Sequence, residues 1–118
     1  MKIVNLTPHA VVLIAPTGER TTIEASGAVA RVATVPGAVE ARPGFPCLVA
    51  GPTLYGAVEQ LPAPTPGTIF VVSALVLGAL AGQGRDDVFA PGTGPNDGAE
   101  RNAAGHVVGV TRLVQAPA

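Results

Sequence analysis

The sequence is poor in the residues that usually indicate a protein's chemistry or compartment. It has one cysteine, Cys47, which excludes a disulfide within the chain, and it has no tryptophan, one tyrosine and three phenylalanines. Charged residues make up 13% of the chain, against roughly 25% in a typical domain. Seven basic and eight acidic residues are interspersed and leave a formal net charge of −1. Because no basic track or cluster is present, we expect neither non-specific nucleic-acid binding nor membrane association.

Long apolar runs are also absent. The longest, residues 68–82, contains glycines and is shorter than the ~20 residues that a bilayer-spanning helix needs. Met1-Lys2 is followed directly by a strand-like pattern instead of a signal peptide, so we expect a cytoplasmic protein. A chain of 118 residues with so little charge either buries much of itself or hides surface in an oligomer, and we expect a homo-oligomer.

The apolar run at residues 68–82 organises the predicted fold. Ile69–Val72 is β-branched and aromatic, which favours a buried strand. Residues 74–82 are rich in alanine and leucine and predict one short helix, with Ser73 at its N-cap. A strand that leads directly into a helix directs free backbone N–H groups beyond the strand, so we expect an anion to bind there.

Short strand-like segments, separated by twelve prolines and fifteen glycines, surround this unit. Residues 36–67 predict a Pro-rich, irregular arm in which only Cys47–Ala50 and Leu54–Val58 are strand-like. Residues 115–118 predict a frayed tail. We expect an α+β, mostly β fold: one compact domain over residues 1–118 with about seven or eight short strands, barrel- or sandwich-like, and one helix.

Turn residues predict two hairpins. Pro16-Thr-Gly-Glu19 is typical of a turn, and Thr21–Glu24 follows it as the return strand. Asn102-Ala-Ala-Gly105 predicts a second turn, in which the glycine supplies a positive φ. His106–Val114 then predicts the final strand.

Candidate binding residues are few because charge is scarce. Arginine presents a planar fork of donors that suits phosphate or carboxylate, and histidine titrates close to working pH. The candidate ligand-binding residues are His9, Arg31, Tyr55, Ser73, Arg85, Asp86 and Arg101. The histidine and the charged candidates have structural alternatives: a turn cap for His9, a solvated turn for residues 85–87, and solvent or an acidic partner for the other arginines.

The sequence assigns no catalytic residue, metal site or cofactor. Two histidines and one cysteine lack zinc-ligand spacing. Asp86 and Asp87, with Asp97 or Glu100, could supply oxygen ligands to magnesium, but adjacent acids on an ordinary loop are commoner. The glycine-rich residues 78–84 and 92–94 match neither the dinucleotide nor the phosphate-binding pattern.

Several short motifs carry a resemblance to a known family. They are Ile3-Val-Asn-Leu-Thr-Pro-His9, Ser26-Gly with Ala30-Arg31, Tyr55-Gly, Leu61-Pro-Ala-Pro64, Gly67-Thr-Ile-Phe-Val-Val-Ser73 and Arg85-Asp. With them the chain resembles, over nearly its whole length, a family of small bacteriophage and bacterial proteins that has no assigned activity. The resemblance implies a compact domain in a phage or mobile-element context and implies no catalytic residue. Where the family pattern places an acid soon after an arginine before the last hairpin, this chain has Asn102 after Arg101.

Three functional hypotheses follow. The first is a non-enzymatic binding protein that captures a small anionic ligand, such as a nucleotide signal. The second is a small phosphodiesterase or nucleotide hydrolase that uses His9 with Asp86 or Asp87 as acid, base or metal ligand. The third is a structural or protein-interaction oligomer without a ligand site. A turnover assay distinguishes the first two hypotheses from each other, and a ligand-binding assay distinguishes the third from both.

Overall fold

A computed structural model describes residues 1–116, which form twelve short strands and one helix. In chain order the elements are β1 (Lys2–Asn5), β2 (Val11–Ile14), β3 (Arg20–Ile23), β4 (Arg31–Val35), β5 (Val39–Ala41), β6 (Leu48–Ala50), β7 (Leu54–Glu59), β8 (Thr68–Val71), α1 (Ala74–Ala79), β9 (Val88–Pro91), β10 (Glu100–Arg101), β11 (Val107–Gly109) and β12 (Leu113–Gln115). The predicted β-rich fold with one short helix is confirmed. The number of strands is larger than the predicted seven or eight because β5 and β10 lie in segments where no strand is predicted and because the predicted final strand is divided into β11 and β12.

The central element is a four-stranded sheet in the order β1-β8-β9-β12. β1, β8 and β9 are parallel, and β12 pairs with β9 in the antiparallel direction. α1 connects β8 to β9, as parallel neighbours require a crossover connection. The predicted strand-to-helix unit is therefore confirmed, with the strand one residue earlier than expected.

The helix is shorter than the predicted residues 74–82. It begins after Ser73, whose Oγ accepts a hydrogen bond from the Val76 N–H at 3.3 Å, so the predicted N-cap is confirmed. It ends at Ala79 because Leu80 leaves the helical conformation and Gly82 adopts a φ of +75°. A left-handed glycine just after the last turn is a common helix stop.

The core lies where the sheet, α1 and the start of β4 meet. Its buried residues are Leu6, Ala30, Phe70, Val72, Val76, Leu77, Leu80, Val88 and Ala90. Val32 and Val58 pack against it from β4 and β7. The apolar side of α1 and apolar side chains of β8 and β9 therefore contribute to the core, as their composition predicts.

The two predicted hairpins are present. β2 and β3 pair in the antiparallel direction, with Gly18 at φ +89° in the turn. β10 and β11 enclose Asn102–Gly105, with Gly105 at φ +83° and Asn102 Oδ1 accepting hydrogen bonds from backbone N–H groups in the turn.

The predicted final strand, His106–Val114, is wrong as a single element. Val110 bridges to Leu13 of β2, and the chain bends at residues 111–112 before β12 joins β9. The two halves thus belong to different sheets. The predicted frayed tail, residues 115–118, begins inside β12 at Gln115, and residues 117–118 lie outside the described residues.

The Pro-rich segment 36–67 is more regular than the prediction of an irregular arm. β4 pairs with β7, and β5 pairs with β6, so residues 31–59 form one long two-stranded ribbon, named here the hairpin arm. Pro36 and Pro52 lie at the break between its two ladders, where a missing N–H costs no strand hydrogen bond.

The hairpin arm gives the molecule an elongated shape. Among the described residues, the strands form one four-stranded and four two-stranded sheets and do not close into a barrel. The radius of gyration is 17.0 Å and the longest dimension 54 Å, whereas about 13–14 Å is expected for the radius of a compact chain of this length. At ~3.3 Å per residue, half of the ribbon extends for roughly 40 Å, which accounts for the long axis.

Candidate functional site

The seven predicted binding residues do not form one site. Arg31 and Ser73 line one cavity, His9 lines a second, Arg85 and Asp86 line a third, and the remaining two line none of these three.

Arg31 and Ser73 share a cavity of about 250 Å³, named here the Arg31 cavity. It is lined by Leu6, Thr7, Pro8, Val29, Ala30, Arg31, Val32, Ser73, Leu75 and Val76. Arg31 is the first residue of β4, and Ser73 is the residue between β8 and α1. The cavity therefore combines one guanidinium and two hydroxyl groups with mostly aliphatic walls.

The Arg31 guanidinium is not engaged in the fold. It forms no hydrogen bond or ion pair with any of residues 1–116, although Glu59 lies opposite it in the β4–β7 register. Arg31 is exposed, so its five N–H donors face water or a ligand.

Asn5 orders the wall of this cavity, a role that the sequence analysis did not assign. Its side chain is 1% exposed, and its Nδ2 donates to the backbone oxygens of His9 at 2.8 Å and Ile23 at 3.0 Å. Its Oδ1 accepts from the Thr7 N–H at 3.0 Å and the Thr7 hydroxyl at 2.6 Å. Asn5 thus fixes the turn between β1 and β2. An asparagine followed two residues later by threonine is a turn signal that could have indicated this role.

The same turn places His9 on a different side. His9 is exposed and lines a cavity of about 340 Å³ together with residues of β2, β11 and the start of the loop after β9. Arg101 lies close by, since its guanidinium donates to the Thr93 oxygen at 2.8 Å and to the Gly105 oxygen at 3.1 Å. Arg101 therefore holds the β10–β11 hairpin against the preceding loop.

Arg85 holds a part-buried ion pair. Its Nε and Nη2 donate to the two carboxylate oxygens of Asp87 at 2.9 and 3.0 Å, and Nη2 also donates to the Pro62 oxygen at 2.9 Å. The side chains are 17% and 12% exposed, so the alternative of a solvated turn is wrong for this pair. The hydrogen bond to Asp87 raises the pKa of Arg85 against the opposing effect of burial. The hydrogen bond from Arg85 lowers the pKa of Asp87, again against burial.

This arrangement gives Arg85 a structural task. Through Pro62 it ties the Pro-rich connection that precedes β8 to the turn that precedes β9. Asp86 is exposed beside it, in a cavity of about 340 Å³ that also includes Leu80 and Gln115.

Tyr55 lies on β7 within the hairpin arm, opposite Thr34 of β4. About half of its surface is exposed. It lines none of the three cavities described above.

Three further findings bear on function. Within residues 1–116, no group of three or more histidine, cysteine, aspartate or glutamate side chains could hold a metal ion together. In the same part of the chain, no helix has the length and apolar character needed to cross a bilayer. Comparison with known protein families, curated proteins and solved structures finds no match to this chain. The resemblance to the bacteriophage and bacterial family therefore stays a prediction.

Proposed function

We propose that the protein is a non-enzymatic binding protein that captures a small anionic ligand in the Arg31 cavity. The observation that carries this proposal is the unengaged guanidinium of Arg31 at a cavity that also contains Ser73 and Thr7. A guanidinium binds phosphate or carboxylate through two parallel hydrogen bonds, which makes the contact both strong and geometrically specific.

The size of the cavity limits the part of the ligand that can enter it. Ligand cavities are typically ≈300–1,000 Å³, and the Arg31 cavity is about 250 Å³. It fits a phosphate or carboxylate with a small apolar body against Val29 and Leu75. A nucleotide would place its phosphate beside Arg31 and leave the base outside. The cytoplasmic location and the phage or bacterial context that we expect from the sequence are part of this proposal.

A thermal-shift screen of the purified chain against inorganic phosphate and mono-, di- and cyclic nucleotides tests the proposal. A ligand at 100 times its dissociation constant stabilises the folded state by about 2.7 kcal/mol, which raises the melting temperature by several degrees. Mass spectrometry of the recovered ligand then separates binding from turnover. Recovery of an altered ligand would favour the hydrolase hypothesis.

Arg31→Ala is the decisive variant, with Arg42→Ala as its matched control. Hydrogen bonds to charged groups contribute ≈1.5–3 kcal/mol, so Arg31→Ala should weaken binding roughly 10- to 150-fold. Arg42 is also an exposed arginine of the hairpin arm, but it lies outside the cavity, so its removal should leave the affinity unchanged. Equal affinities of the two variants would contradict the proposed site.

The geometry within one chain supports the hydrolase hypothesis less than the binding hypothesis. His9 and Asp86 line different cavities, and both carboxylate oxygens of Asp87 accept hydrogen bonds from Arg85. An acid and a base that act on one substrate must both lie within hydrogen-bond reach of it. The interaction hypothesis is favoured by a separate feature, the exposed hairpin arm.

A further inference from the structure

The isolated chain exposes more surface than a folded monomer of its mass. Its accessible surface is 7560 Å² for 11.7 kDa. The scaling that monomeric proteins follow predicts roughly 5,900 Å² at this mass, so the excess is about 1,700 Å².

The exposed large apolar side chains are concentrated on the hairpin arm. More than half of the large hydrophobic side chains that are exposed belong to residues 31–59: Val35, Val39, Phe45, Leu48, Leu54 and Tyr55. Leu48 and Leu54 are 63% and 64% exposed. A monomer rarely leaves so many large apolar side chains together in water, and such a surface usually marks an interaction site.

The outer half of the hairpin arm has one continuous apolar face. In its register Val39 lies opposite Ala50, and Ala41 lies opposite Leu48. Since side chains two residues apart share a face of a strand, these four side chains lie on the same side of the ribbon. No further strand pairs with either edge in the described structure. An isolated two-stranded hairpin is at best marginally stable in water, so this half of the arm needs a surface to pack against.

The charge of the hairpin arm indicates which class of partner it can bind. Its charged residues are Arg31, Glu40, Arg42 and Glu59, two of each sign. A nucleic-acid backbone or an anionic bilayer would require an excess of basic residues, which is absent. A second copy carries the same balanced charges, and the net charge of −1 gives almost no repulsion between copies.

We propose that the hairpin arm packs its apolar face, Val39, Ala41, Leu48 and Ala50, against a second copy of this chain. Obligate homodimers bury 2,000–5,000 Å² in total, or at least ~1,000 Å² for each copy. The surface excess of about 1,700 Å² in each chain is larger than the minimum area that each copy would have to bury. A closed two-fold assembly uses the same surface on both copies, as the balanced charges allow. This inference does not depend on ligand binding at the Arg31 cavity.

Sedimentation velocity of the full chain over a dilution series tests the proposal. The expected mass is twice 11.7 kDa. Leu48→Lys places one buried, unpaired charge from each copy in the interface, and should raise the dissociation constant roughly 30-fold or more. Val39→Lys should do the same. Both residues are exposed in the single chain and lie outside the core, so the variants should keep the cooperative unfolding of the core and lose only the circular dichroism signal of β5 and β6.

Val108→Lys is the matched control. Val108 is an exposed valine of β11, outside the hairpin arm, and its substitution should leave the assembly intact. Cys47 next to Leu48 supplies a second measurement, because it is exposed and is the only cysteine in the sequence. Nitroxide labels on Cys47 should broaden each other's spectra, and the broadening should disappear when excess unlabelled protein is mixed in.

Two results would overturn the proposal. One is a wild-type chain that sediments at 11.7 kDa throughout the dilution series. The other is an assembly that survives both lysine substitutions, because it would then use a different surface.

Discussion

Asn5→Ala should be among the most damaging single substitutions in this chain. It removes two hydrogen bonds that the Asn5 amide donates and two that it accepts. Once Asn5 Oδ1 is gone, the single Thr7 hydroxyl proton can be donated to the His9 oxygen, 2.9 Å away, but the Ile23 oxygen and the Thr7 N–H lose their contacts with Asn5. A typical hydrogen bond contributes 0.5–1.5 kcal/mol, and a buried group left unpaired costs ≈1–3 kcal/mol. The expected loss is about 3–5 kcal/mol of the 5–15 kcal/mol that a domain usually has.

Differential scanning calorimetry or far-ultraviolet circular dichroism is the suitable assay, because the chain has no tryptophan and its one tyrosine lies on the hairpin arm. The expected fall in melting temperature is roughly 10–20 °C. All samples need one protein concentration, since the proposed self-association would make melting concentration-dependent. Asn102→Ala is the control: Asn102 also bonds backbone N–H groups, but in an exposed turn, and should lose under ~1 kcal/mol. Equal losses for the two variants would refute the assignment of Asn5 as the buried centre of this turn.

Asp87→Asn should cost about 1.5–3 kcal/mol at neutral pH. Because Arg85 lowers the pKa of Asp87 below its unfolded value of ≈3.9, the pair's contribution is complete above that pH and is lost as the pH falls through the folded pKa. The stability gap between wild type and variant should therefore close in acid, and urea unfolding with an unchanged gap below about pH 3 would contradict this. Gly37→Ala should open the hairpin arm, because its Cβ would overlap the Gly51 carbonyl group, whereas a Cβ at Gly51 meets its nearest atom at 3.6 Å. Thermolysin should cut the arm faster in Gly37→Ala than in Gly51→Ala, and equal rates would contradict the junction geometry.

The strand-to-helix unit could be predicted from the sequence because its signals are local. β-branched and aromatic residues favour β8, alanine and leucine favour α1, and Ser73 satisfies a backbone N–H of the first turn. The two hairpin turns were equally local, since Gly18 and Gly105 supply the positive φ that each turn needs. In each case the residues that determine the structure are within a few positions of one another.

The hairpin arm could not be predicted in the same way, because its pairing is long-range. Arg31 lies opposite Glu59, and no local pattern records a partner 28 positions away. The prolines indicated irregular backbone, and they do interrupt the ribbon at Pro36 and Pro52, but the strands on both sides remain paired. Prolines located at the breaks in a ladder are compatible with a ribbon, whereas prolines within it are not.

The same distinction between local signals and long-range contacts applies to the candidate binding residues. The sequence predicts that Arg31 and Ser73 bind an anion, and the structure brings both to one cavity. Arg85 has the same chemistry, but its guanidinium is occupied by Asp87 and by the Pro62 oxygen, which lies 23 positions earlier in the chain. Residue type indicates what a side chain can bind, while the fold determines whether a partner within the chain already occupies it.

The composition left two outcomes open: a chain that is 47% hydrophobic and 13% charged buries itself or hides surface in an assembly. We propose the second outcome, on the basis of the large apolar side chains that are exposed along the hairpin arm. Arg31 starts the arm and also lines the proposed anion cavity, so both proposals involve β4. Packing of the arm on a second copy would therefore limit the motion of one cavity wall. If both proposals hold, Leu48→Lys should weaken ligand binding although Leu48 lies outside the cavity, and Arg31→Ala should leave the assembly intact.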